Sequence, residues 1–254
     1  MVPSFHALLT VDAEGYSRHR DAELPGLHTE IRHAVECACE RSDLRDTWRG
    51  VRVLQSTGDG LLAVLPPDAT ASLISPFADH LQDALAESAP QLRARGQSLR
   101  LRAALHVGLV DDERPVTAGI SSATIDVSRL LDSEPLRAAL RDSDPNVTFA
   151  AVIVSAEAFD IFVRGGHTSL EPSRFTQVRA KVKQFDRRAY LYVPVPSHRP
   201  LDHEPPDAEP SESLPAPSRS LRFSDRQNVV YAAAGGVSMP TWRNRVCMLM
   251  RRVS

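Results

Sequence analysis

The sequence predicts an α+β sandwich, a central mixed β-sheet flanked by helices. Two observations predict it. Runs with strand periodicity and runs with helical periodicity alternate along the chain. Hairpins interrupt that rhythm, which a doubly wound parallel sheet would not allow. Composition permits the core such a fold needs: the 254 residues are 42% hydrophobic and 24% charged, outside the range of wholesale disorder.

The elements follow in order. In residues 5–12, Phe5, Ala7, Leu9 and Val11 share one face and His6, Leu8, Thr10 and Asp12 the other. Both faces are largely apolar, which predicts a central strand buried on both sides, with Asp12 at its C-terminal end. In "PGLHTEIRHAVECACER", Leu27, Ile31, Ala34, Val35 and Ala38 recur at helical spacing. "VRVLQSTGDGLLAVLP" reads as strand, tight turn, strand, its glycines giving the turn its backbone freedom. "DATASLISPFADHLQDALAES" carries a stripe of Leu73, Phe77, Leu81 and Leu85, with Asp68 as expected N-cap and Pro76 implying a kink or a late start. "SLRLRAALHVGLV" alternates through Leu99, Leu101, Ala103, Leu105, Val107 and Leu109 as another strand. "SSATIDVSRLLDSEPLRAAL" is helical with a break expected at Pro135, "VTFAAVIVS" is a strand, and "AEAFDIFVR" is a short helix ended by Gly165-Gly166. "FTQVRAKVKQFDRRAYLYVP" reads as a closing hairpin.

The texture changes after Pro194, where residues 194–217 hold eight of the 19 prolines among Ser, Glu and Asp. The expected organisation is a folded domain over 1–196, a Pro-rich linker over 197–220 and a short tail over 221–254. The tail is read as poorly ordered, or as a weak partner- or surface-docking segment.

Formal charge is −2, with no basic excess to recommend a DNA or RNA binder. Three cysteines, Cys37, Cys39 and Cys247, without paired spacing argue against a disulfide framework or a zinc site. The N-terminus lacks a signal-peptide pattern and no window reads as a membrane span. A soluble, cytoplasmic protein is the expectation. The basic residues are almost all arginine, and the only lysines are Lys181 and Lys183, both in the closing hairpin.

Two aspartates draw attention because each ends or turns an apolar run: Asp12 in "LTVDAEGYS" and Asp59 in "STGDGLLAVL". Taken singly, Asp12 is an ordinary strand-terminating aspartate and Asp59 an ordinary turn residue. If their strands are neighbours, the two carboxylates converge as oxygen ligands for magnesium or manganese.

In this order the segments resemble the catalytic domain of the class III nucleotidyl cyclases, the adenylate and guanylate cyclase family, over roughly residues 4–194. "LTVDAEGYS" is similar to the family's first metal motif and "STGDGLLAVL" to its second. "DVSRLL" resembles the helix that supplies a catalytic arginine, and "VKQFDRRAYLYVP" the hairpin whose lysine meets phosphate. The resemblance implies a ferredoxin-like, cyclase-type sandwich. It implies a reaction that turns a nucleoside triphosphate into a 3′,5′-cyclic nucleotide and pyrophosphate, for signalling. It implies two Mg²⁺ or Mn²⁺ ions held by Asp12, Asp59 and the backbone carbonyl of Ala13. Such ions lower the pKa of the 3′-hydroxyl and neutralise the departing pyrophosphate. Arg129 would stabilise charge on the α-phosphate from across a homodimer interface, and Lys183 would contact phosphate.

Three positions depart from the family's pattern. Gln55, four residues before Asp59, stands where a base-reading lysine or glutamate is expected; its amide donates and accepts and commits to no base. The second base-reading position should fall near Val116–Ala118, where neither aspartate nor cysteine stands. Ile125, one helical turn before Arg129, occupies the place of a ribose-orienting asparagine and cannot make that hydrogen bond. The pattern fits a cyclase of unusual base choice, a pyrimidine included as in antiphage signalling. It equally fits a catalytically weak pseudo-cyclase serving as a nucleotide-responsive dimerisation module.

Overall fold

The computed structural model describes residues 4–111 and 119–199. By its internal contacts the chain divides into two units, Met1–Asp202 and His203–Ser254, and the described residues all belong to the first. The expected linker, apart from its first residues, and the expected tail lie outside the described residues, as does the segment Val116–Ala118.

Seven strands form one mixed sheet. They are β1 (Ser4–Ala13), β2 (Val53–Ser56), β3 (Gly60–Leu65), β4 (Leu101–Val110), β5 (Ala150–Ser155), β6 (Thr176–Val182) and β7 (Phe185–Tyr192). Their order is β2-β3-β1-β4-β5-β7-β6. Only β4 and β5 pair in parallel; every other neighbour is antiparallel. This is the mixed sheet that the hairpins predict. β1 lies between β3 and β4 and is buried from His6 to Ala13, as its doubly apolar pattern requires.

The two faces of the sheet are covered by different helices. On one, Ala7, Leu9 and Val11 of β1 and Ala103, Leu105 and Val107 of β4 pack with the long helices α1 (Leu24–Arg41) and α4 (Phe77–Ala94). On the other, Leu8, Leu62, Ala104 and Ile153 meet α5 (Ser122–Leu131) and α6 (Glu134–Arg141). Side chains alternate along a strand, so Asp12, in phase with Leu8, belongs to the α5/α6 face. α5 approaches β4 closely at Gly108, where an added Cβ would lie 2.6 Å from the Cβ of Ala123.

Three expectations are corrected. The single helix read over 68–88 is two helices, α3 (Thr70–Ile74) and α4, the latter beginning at Phe77 as the late start expected of Pro76. They part at Ser75–Pro76, because proline has no N–H to donate and pushes the preceding residue out of helical geometry. Asp68 is not an N-cap: it lies in a 3-10 turn over Pro67–Ala69 that has no side-chain cap, and α3 begins after it. The break expected at Pro135 falls at Ser133, and Pro135 sits in the first turn of α6, where a missing N–H is harmless. A short helix α2 (Arg45–Arg49), unanticipated from sequence, buries Trp48. The segment after β5 is a single turn, α7 (Ala156–Ala158), that widens into a π-helical turn over Phe159–Val163. No described helix is long and apolar enough to cross a membrane.

Candidate functional site

Strand register brings the two aspartates together. β1 and β3 are antiparallel, with Asp12 opposite Gly60. The β2–β3 turn therefore folds back over the C-terminal end of β1, and Ala13 N–H donates to the Asp59 carbonyl at 2.9 Å. This approach requires glycine at position 60, where a Cβ would fall 1.8 Å from the carbonyl oxygen of Val11. Gly58 in the turn has φ of +92°, a conformation that other residues rarely adopt. The glycines of "TGDG" thus set Asp59 beside the end of β1.

On its other side β1 pairs with β4, and Asp12 lies opposite Arg102. The guanidinium grips the carboxylate with two hydrogen bonds, Nε to Oδ1 at 2.8 Å and Nη2 to Oδ2 at 2.6 Å. Asp12 is only 7% exposed. Burial pushes its carboxyl up to about 6 against the pull of Arg102, and the charge of Asp59 adds to the rise. Nothing in the sequence motifs singled out Arg102. The signal was present: Arg102 is a charged residue on a central strand, on the face it shares with Ala104 and His106.

An open cleft of about 390 Å³ is walled by Ala13 to Arg18, Asp59, Arg102 and, from α6, Arg137 and Arg141. The loop after β1 is tied down by Tyr16, whose hydroxyl donates to the Leu24 carbonyl at 2.9 Å. Glu14 meets the buried Arg100 at 3.1 Å. The cleft is thus rich in guanidinium groups set around carboxylates.

The other expected residues lie elsewhere. Arg129 is on α5 with its guanidinium 5.9 Å from the centre of the Phe185 ring and 4.0 Å from Asp126. Phe185 opens β7, and Lys183 stands at the tip of the same hairpin with φ of +53°. Arg129 and the Lys183 hairpin therefore form a second group. Pairing runs from Asp12 to Arg102, from Arg102 to Ala151, and from the adjoining Val152 to Tyr192. Phe185 is seven residues from Tyr192 along β7, roughly 25 Å down the strands and three strands across from Asp12. Among the described residues of one chain the two groups lie apart. Ile125 is 51% exposed on α5. Gln55 is exposed on the edge strand β2, and a Cβ at Gly119 would lie 3.7 Å from its Nε2.

No protein-family model matches the chain, and no curated protein matches it. Solved structures do. The adenylyl cyclase CyaB from P. aeruginosa aligns with a TM-score of 0.51 at 15% identity, over 79% of this chain and 100% of that one. A bacterial light-regulated adenylyl cyclase aligns with a TM-score of 0.50 at 14% identity, over 78% of this chain and 55% of that one. The chain has the fold of these cyclases' catalytic domains.

Proposed function

We propose that the chain is a metal-dependent nucleotidyl cyclase. It converts a nucleoside triphosphate into a 3′,5′-cyclic nucleotide and pyrophosphate, in a homodimer whose partners complete one another's sites. The observation that carries this reading is the meeting of Asp12 and the Asp59 turn on the wall of an arginine-lined cleft, in the fold of cyclase domains.

The residues fit a hard divalent cation. Two carboxylates and the Ala13 carbonyl are oxygen donors of the kind Mg²⁺ or Mn²⁺ takes, and Arg102 already holds a positive charge against Asp12. Among the described residues no group of three or more His, Cys, Asp or Glu comes together, so substrate oxygens would complete the coordination. When bound, such ions supply acidification of the 3′-hydroxyl and neutralisation of pyrophosphate.

The chain's own residues do the rest. Asp12 and Asp59 fix the charge at the end of β1. Arg102 holds Asp12 in one rotamer through its two charge-assisted hydrogen bonds. Arg129, brought in by the second subunit, offers a guanidinium fork to the α-phosphate, where charge builds as the ring closes. Lys183, on a turn tip, delivers a point charge to the phosphates. Gln55 meets the base with an amide that fixes no single base edge.

The purified chain should form cyclic product from at least one of the four common ribonucleoside triphosphates with Mn²⁺, while Asp59→Ala does not. If none gives product above that control, the cyclase reading is wrong. Triphosphate-dependent thermal stabilisation without turnover would then favour the nucleotide-responsive module, the outcome that Ile125 at the ribose position would explain.

A further inference from the structure

We infer that α6 carries a polyphosphate clamp: Arg137 and Arg141 take the triphosphate tail in the cleft of the same chain that supplies Asp12 and Asp59. This rests on the nucleotide reading above and adds to it a cis contribution from a helix that none of the motifs covers.

Four observations support the clamp. First, both arginines line the cleft, alongside Asp59 and Arg102. Second, they stand one helical turn apart, and each directly follows a buried leucine, Leu136 or Leu140. The leucines seat α6 on the sheet, so the arginine stripe is held at the cleft edge.

Third, α6 is fastened to the cleft wall by Arg100, which is 8% exposed. Its guanidinium donates to the carbonyl of Leu140 and, at 2.6 Å, to Ser143 Oγ; it also donates to the Thr148 carbonyl at 3.1 Å and meets Glu14 at 3.1 Å. Glu14 is itself in the cleft wall. The strut therefore fixes the C-terminal end of α6 relative to the metal-side loop.

Fourth, the present partners of the two arginines are easily exchanged. Arg137 pairs with Asp132 at 2.7 Å, and Arg141 pairs with Glu134 at 2.8 Å and Asp142 at 3.0 Å. All three carboxylates are more than half exposed. Exposed ion pairs contribute little, whereas a guanidinium fork on phosphate makes parallel charge-assisted bonds. Arg102, by contrast, is committed to buried Asp12. The α6 arginines therefore have less to lose by turning to a polyphosphate than Arg102 has.

The test uses inorganic tripolyphosphate with Mn²⁺, titrated calorimetrically into the full chain and into Arg137→Gln/Arg141→Gln. Binding should weaken by about tenfold to a hundredfold in the double variant, from the loss of two charge-assisted contacts. Mn²⁺ binding without polyphosphate and the melting temperature should hold. Arg137→Lys/Arg141→Lys should fall between, keeping charge but losing the fork. If the double variant does not fold, each single Gln variant should still weaken binding about threefold or more. Binding within twofold of the parent in a folded variant overturns the clamp, as does a parent chain that fails to bind tripolyphosphate. Arginine-dependent binding in a chain that cyclises none of the four triphosphates upholds the clamp and removes the cyclase reading, so the two fail separately.

Discussion

The end of β1 and the β6–β7 hairpin carry the two groups of candidate residues, and they are built in opposite ways. At the end of β1, Asp12 is buried between two neighbouring strands, gripped by Arg102 and overlain by a turn whose Gly60 leaves no room for a Cβ. At the hairpin, Arg129 is 39% exposed on one face of α5, lying against a ring of an edge-side hairpin, and Lys183 is on the turn tip. The first is organised by the sheet itself. The second has a solvent-facing surface, where Arg129 meets Asp126 at 4.0 Å. A site whose charge must be positioned before substrate arrives is well served by interior register. A site that is completed by a second subunit has to be presented outward.

Removing the carboxylate at the turn should give the largest effect. Asp59→Ala is expected to lower turnover by about a thousandfold or more, as loss of a metal ligand does. It should leave the fold intact, because Asp59 is only half-buried; product assays alongside a melting curve check both. A stable, active Asp59→Ala chain would break the comparison.

On the proposed role of Arg129, Arg129→Ala should come next, lowering kcat about a hundredfold with little change in KM, the signature of a contact made only in the transition state. Mixing it with Asp59→Ala sharpens the point. If the two groups act in trans, half the dimers are mixed and each has one intact site, so activity should return to about a quarter of the parent level. No recovery, with dimers verified by light scattering, would mean that the groups do not complement one another.

A smaller effect is expected at Gly60. Gly60→Ala places a methyl group on the Val11 carbonyl and must push the turn off β1, costing about 2 kcal/mol. Denaturant unfolding measures this, and Mn²⁺ binding should weaken in parallel. Smallest is Phe185→Leu, which removes the ring beneath Arg129. It should cost about threefold in kcat, the scale of an exposed cation–π contact.

Much of this was legible in the chain. The doubly apolar pattern of 5–12 marked a central strand, and "TGDG" marked the tight turn between two strands. The closing hairpin was likewise readable from its alternation. What sequence did not yield has identifiable physical causes. α2 is one short turn and leaves no periodicity. The split at Ser75–Pro76 was ambiguous because a proline both kinks and starts helices. Arg102 alternates with the apolar residues of β4, and its partner is decided by strand pairing 90 residues away.

The sequence by itself determined the local states: which runs are strands, where the turns fall, and that two aspartates end or interrupt apolar runs. Those follow from periodicity and from glycine and proline, which act within a few residues. Only the tertiary structure decided that Asp12 faces Arg102, that Arg100 fastens α6 beside Glu14, and that Arg129 and Lys183 lie far from the aspartates of their own chain. These are consequences of register and strand order, which depend on the packing of the whole sheet.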